Sequence, residues 1–449
     1  MKFMQRFTPF VLFAALMLVL SGCHSLFGSD DDEAAPKTKS VGKRVAVLGA
    51  LKKLTVDSDI GDFKPQLPPA QTNKDWAQAG GTATHSMLHS ALNVHPHEFW
   101  HADIGSGSDG DFRILSQPII SGDRVYTLDA RGLVTAFATK NGNSIWEFDT
   151  TPRDRDGEAM GGGISIADNI LYVTTGFGEV LALKATNGHV VWRKLLGKPI
   201  RGAPTIADGR VFVITIDNEM DALSTKNGEV LWHHNGIAEN ATLMGASSPA
   251  VIDDSVVVAY SSGEIFNLRT QNGRVAWTDV IAVPAQVGAL PAIADIRGMP
   301  VIDQGVVYGI SHSGRIAAID QRSGNRIWDA DIGGTNTPAV VGDMIFVLSN
   351  GNELIALTRS TGRIAWIKEL QRLEDPEDRD STPVFWWGPV LAANQLWLTN
   401  SLGHLAAFAA VDGKETANQE LADAFFIPPV VANNALYVVS DNGRLIALR

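Results

Sequence analysis

The sequence has one cysteine, Cys23, among 449 residues. It can therefore form no disulfide within the chain, attach no haem through Cys-x-x-Cys, and build neither an iron–sulfur cluster nor an all-cysteine zinc site. Positive charge is scarce as well. Lys and Arg total 37 against 49 Asp and Glu, a formal net charge of −12, and a surface of that sign repels a phosphate backbone, so nucleic acid is not the expected partner. Apart from Phe10 to Leu20, no apolar run approaches the length of a membrane span. Charged residues make up only 19% of the chain and hydrophobic residues 45%, with 11 Trp. That composition is too apolar and aromatic for a disordered chain, so most of it folds.

The lone cysteine sits in an informative place. Lys2 and Arg6 precede the apolar run, which has the charge and length of a secretory signal, and the run ends in Leu20-Ser21-Gly22-Cys23. That tetrapeptide resembles the bacterial lipobox, which implies cleavage before Cys23 and acylation of its thiol and new amino group. His24 is not the aspartate that holds such lipoproteins at the inner membrane, so the resemblance implies an outer-membrane anchor facing the periplasm. The expected organisation is a signal peptide at 1–22, a lipidated tether and extended linker at 23–72, and a folded body at 73–449. The tether carries the acidic run Asp30 to Glu33, and the linker carries Pro65, Pro68 and Pro69 and is expected to lie extended against the body.

From residue 112 onward the chain repeats. Residues 178–192 read GEVLALKATNGHVVW and residues 314–328 read GRIAAIDQRSGNRIW. One turn position falls at Gly132, Gly178, Asn218, Gly263, Gly314, Asn352, Gly403 and Gly443, a period of about 44 residues. Only Gly or Asn stands there, as a turn with positive φ requires. A second turn carries Gly142, Gly188, Gly228, Gly273, Gly324, Gly362 and Gly413. In the first six a Trp follows four residues later, whereas the seventh has Ala417. With a further hairpin signal upstream, each unit holds four short antiparallel strands, which is a propeller blade. The predicted fold is all-β: an eight-bladed propeller with four antiparallel strands per blade. The last copy stops at Arg449 after three strands, and Glu98 to Ala102 is predicted to supply the fourth and close the ring, with Trp100 completing seven apolar wedges between blades.

This Gly-x-Val-x-Ala-Leu-x-x-x-x-Gly-x-x-x-Trp unit resembles the pyrroloquinoline-quinone-like repeat. With eight blades and a lipobox, residues 73–449 resemble the outer-membrane assembly lipoproteins of the BamB type. The resemblance implies a non-enzymatic scaffold, without cofactor, that docks on the periplasmic domains of the barrel-forming subunit and aids insertion of outer-membrane proteins. Apart from the resemblance, exposed blade edges of a propeller can also accept a strand from a partner or from an unfolded barrel client. In that family, partner binding maps to a Leu-x-Leu-Arg segment entering the fourth blade and an Asp-x-Asp entering the fifth. The first aligns with Ala241-Thr242-Leu243-Met244-Gly245, keeping only the second Leu; the second aligns with Asp295-Ile296-Arg297, with the second charge reversed. The expected partner-binding residues are thus Ala241, Leu243, Met244, Asp295, Ile296 and Arg297, their position carried over more safely than their chemistry.

Other clusters carry less. Five of the 11 histidines, His85, His89, His95, His97 and His101, crowd one stretch, but without cysteine and around Pro96 they read as polar decoration of the closing strand rather than a metal site. The acidic segments 374–380 and 153–158 lack the ligand spacing of a calcium loop and read as solvated connections. Trp386 and Trp387 fall outside the Trp register and either pack on the neighbouring blade or form an exposed aromatic contact. The rival reading is a periplasmic quinone-dependent dehydrogenase, since such enzymes share these repeats, but they typically carry vicinal cysteines beside the quinone and this body has none. No residue excludes a propeller that binds polysaccharide or peptidoglycan.

Overall fold

A computed structural model describes residues 53–60, 65–86, 89–154, 157–239, 243–282 and 294–449. Cys23 and its signal, the acidic tether and Ala241 lie outside the described residues.

Eight four-stranded antiparallel sheets form in succession. Blades 1 to 7 span 119–149, 162–195, 205–235, 250–280, 301–330, 339–369 and 386–420; blade 8 combines 430–448 with Glu98–Asp103. That last strand pairs with Arg444–Leu448, and beyond it His97 and Arg449 exchange both backbone hydrogen bonds at 2.9 and 3.0 Å. The ring closes where the sequence indicates, on the two ends of the repeat array.

Each blade shows one gradient. Its inner and middle strands are buried along their length, while its outermost strand alternates, as in Val190–Leu195, where Trp192 is buried and its neighbours are exposed. An inner strand covered by adjacent blades has no polar face, so it reads as a continuous apolar run; an outer strand keeps one face in water. The predicted turn positions all have positive φ, from 55° at Asn352 to 119° at Gly314.

The wedges are more specific than burial alone would make them. Each of the seven register tryptophans donates its indole N–H to a backbone carbonyl of the next blade, from Trp100 to Thr139 at 2.8 Å through Trp192 to Thr225 at 2.8 Å and Trp366 to Ala410 at 3.2 Å. A buried indole N–H left unpaired would cost about 1–3 kcal/mol, so this bond fixes the ring's orientation as well as its depth. Ala417 breaks the register for a visible reason. The turn that would receive a tryptophan from blade 7 is missing, because blade 8 takes its outer strand from the N-terminal side of the chain.

One feature of the fold had no signal in the repeat. Residues 66–86, with His89 and Ser90, cross one end of the central channel and hydrogen-bond to every blade. Asn73 bonds blade 8 at Asn433; Trp76 pairs with Ile120 of blade 1; Ala77 accepts from Ile166 of blade 2; Ala83 and Thr84 accept from Val251 and Ile302 of blades 4 and 5. Gln78 makes paired bonds with the backbone of Ile206 in blade 3, Gln66 donates to Asp343 of blade 6, and Ser90 bonds on both sides with blade 7. The innermost strands would otherwise leave backbone groups bare along their free edge, as at Ile120, Ile206, Val251 and Ile302, each the middle residue of a three-residue strand, and this segment satisfies them.

Candidate partner-binding face

At the opposite end of the channel, the connections that lead into the inner strands converge. Two of them are the predicted loops. Leu243 donates its backbone N–H to the Asp295 carboxylate at 2.7 Å, which ties the entry to blade 4 to the entry to blade 5. Asp295 is buried, and burial raises its pKa above the ordinary carboxylate value, opposed by the Leu243 N–H and by Arg297. Arg297 is itself largely buried, which lowers its pKa, while Asp295 opposes the shift. Gly245 makes the approach possible: its φ is +97°, and a Cβ there would stand 3.0 Å from Arg297 Nε. The two loops are therefore one electrostatic unit, with a carboxylate at its centre that serves both.

The six predicted residues separate by position. Met244 is 48% exposed and stands at the rim. Leu243 and Arg297 line the mouth, a cavity of about 470 Å³ shared with His312, Asn350 and Phe426. Ile296 is only 1% exposed and packs into the core between blades 4 and 5. Its side chain is turned into the fold and pins the loop. Asp295 is likewise buried, and its carboxylate holds the Leu243 N–H rather than facing outward.

Across the mouth stands an aromatic group that the sequence reading only partly located. Trp386 and Trp387 are buried, settling the alternative in favour of packing. The residue before them, Phe385, is the exposed one, at 54%. Trp387 meets Phe426 edge-on with ring centroids 4.9 Å apart, and Arg113 lies over Phe426 at 5.4 Å. The mouth thus presents Met244 and Phe385 on a rigid base of aromatic rings and a guanidinium, the composition of an anchoring surface.

The histidine stretch disperses. His85 is buried with Nδ1 2.8 Å from the Pro300 carbonyl, and His89 is buried with Nδ1 on the Pro68 carbonyl and Nε2 accepting from Asn394. His101 lies on the surface beside Glu98 and Arg444. Among the described residues no three His, Cys, Asp or Glu are grouped to hold a metal. In the segment 374–380 the carboxylates of Asp375 and Asp378 accept backbone N–H bonds within their own turns.

The class of protein is an eight-bladed β-propeller, with one channel end crossed by its own N-terminal segment and loops gathered at the other. Comparison with known proteins gives the family. A family model described as the outer membrane protein assembly factor BamB matches residues 130–368, more than half of the chain. A BamB of Alkalilimnicola ehrlichii is 31% identical over 410 residues, covering 90% of this chain and 94% of that protein. The chain belongs to the BamB family of outer-membrane protein assembly factors and is not an enzyme. The crystal structure of BamB from Moraxella catarrhalis superposes with a TM-score of 0.66 at 19% identity, covering 79% of this chain and all of that one. A quinohemoprotein alcohol dehydrogenase from Comamonas testosteroni reaches 0.65 at 14% identity, over 84% of this chain and 81% of its own. At these identities the likeness is one of fold alone.

Proposed function

We propose that the protein is a lipid-anchored scaffold of the outer-membrane β-barrel assembly machinery, held by Cys23 on the periplasmic side, and that it docks on the periplasmic domains of the barrel-forming subunit through the open mouth. The proposed organisation is a signal peptide at 1–22, a tether at 23–72 and the propeller from 73. Among the described residues no helix is long and apolar enough to cross a membrane; the proposed attachment is the acylated Cys23. Acylation at more than one position would make it firm, since one chain binds only marginally.

The observation that carries the docking site is the Leu243 to Asp295 bond. It holds two loops from successive blades in one arrangement, and a preorganised loop pair binds without the entropy cost of ordering it. Met244 and Phe385 would supply the apolar contact. The test is purification of the native lipoprotein followed by measurement of the copurified barrel subunit. Met244→Glu and Asp295→Ala are each expected to deplete it while the propeller stays folded; retention with both variants would remove the site.

A further inference from the structure

The outer edges of the blades are not all bare. On blade 6, Asp57 grips one residue of the outermost strand from both sides: its backbone N–H donates to the Ile364 carbonyl at 3.1 Å, and its carboxylate accepts the Ile364 N–H at 2.7 Å. Leu54, three residues earlier, packs on the cluster that includes Ile364, and Asp59 lies 3.7 Å from Arg363. This short segment, which turns into a 3-10 helix at Ser58–Ile60, covers an edge that would otherwise be open, and Ile364 is 8% exposed.

Blade 4 repeats the same edge, without such a cover among the described residues. Gly273-Arg274-Val275-Ala276-Trp277 matches Gly362-Arg363-Ile364-Ala365-Trp366 in charge and apolar pattern. Val275 pairs inward with Leu268 as Ile364 pairs with Leu357, so its own N–H and carbonyl face away from the sheet. Val275 is 49% exposed, and Arg274 has no carboxylate partner among the described residues. The adjoining blade repeats too, with Leu231 at 45% exposure where blade 5 has Ile327 at 50%. On blade 2, Val190 is similarly exposed, but His189 replaces the arginine.

We propose that the outer edge of blade 4 at Arg274 and Val275 is a docking site for a short segment of a partner protein. That segment carries an apolar residue three positions before an aspartate and a second carboxylate two positions after it, as Leu54, Asp57 and Asp59 do. The aspartate would clamp the Val275 N–H and carbonyl, the second carboxylate would meet Arg274, and the apolar residue would cover Val275. Addition to a sheet edge through main-chain bonds, with side chains supplying selectivity, is an established recognition mode. This edge lies on the outer rim, so it leaves the mouth free for the docking proposed above.

The probe is a fluorescent octapeptide with the sequence of residues 53–60, titrated into the full chain and followed by polarisation, with hydrogen exchange read at the Val275 amide. Saturable binding that slows exchange at Val275 is expected. Arg274→Glu should weaken it at least about threefold, as should replacing the first aspartate of the peptide by alanine, while Arg363→Glu should leave it unchanged. Absence of saturable binding overturns the proposal. So does binding lost in Arg363→Glu but kept in Arg274→Glu, because the peptide would then be exchanging with the chain's own segment on blade 6.

Discussion

Gly362 lies against the face of Trp328 from the preceding blade, so close that a Cβ on the glycine would stand 2.4 Å from the ring. The same contact recurs around the ring, from Gly142 on Trp100 to Gly413 on Trp366. The second-turn glycine is thus constrained twice, by a φ near +70° and by its neighbour's indole. These two constraints separate experimentally.

Blade 5 contains both kinds of glycine. Gly305 has φ +77° with nothing within 4 Å of an added Cβ, whereas Gly324 has φ +74° and would place a Cβ 2.6 Å from Trp277. Asparagine tolerates the backbone conformation but not the collision. Gly305→Asn is expected to melt within about 2 °C of the parent, and Gly324→Asn clearly lower. Equal melting temperatures would contradict the packing described.

Trp192→Ala removes a wedge and leaves the Thr225 carbonyl without its indole donor. A loss of about 3–5 kcal/mol is expected from the cavity, seen as a fall of several degrees in thermal melting. Ala417→Trp should give no compensating gain, since blade 8 has no turn glycine to receive the ring. An unchanged melt for the first variant would count against the wedge role.

Acid should loosen the segment that crosses the channel. Burial lowers the His85 pKa to about 4, against the smaller opposing effect of the Pro300 carbonyl. The unfolded chain binds that proton near pH 6.5, so the folded state loses stability as pH falls from about 6.5 toward 4, on the order of 3 kcal/mol by the lower limit. His85 has φ +56°, which asparagine accepts. In melts at pH 7 and pH 5, His85→Asn is expected to narrow the difference seen in the parent; an identical difference would remove His85 as its source.

Much of the fold was legible because its determinants are local. A turn with positive φ admits Gly or Asn wherever the chain folds, so Gly132 to Gly443 marked eight blades, and the unfinished last copy pointed to Trp100. The role of Gly362 was not legible, because the atom that demands it belongs to Trp328 in another blade. The crossing segment was hidden for a different reason: at Trp76, Ala77 and Thr84 it bonds through backbone groups that any sequence supplies. At the candidate site, the positions of the two loops could be read but not their facing. Ile296 turns inward, and the exposed ring at the entry to blade 7 is Phe385 rather than Trp386 or Trp387.

Docking through the open mouth is tested most directly by photo-crosslinking in living cells, with a photoreactive amino acid placed at Met244 in one strain and at Asp123 in another. Met244 stands on the mouth, while Asp123 is an exposed turn residue at the end crossed by the N-terminal segment. An adduct with the barrel-forming subunit is expected from position 244 and not from 123. An adduct from 123 alone, or none from 244, would contradict it.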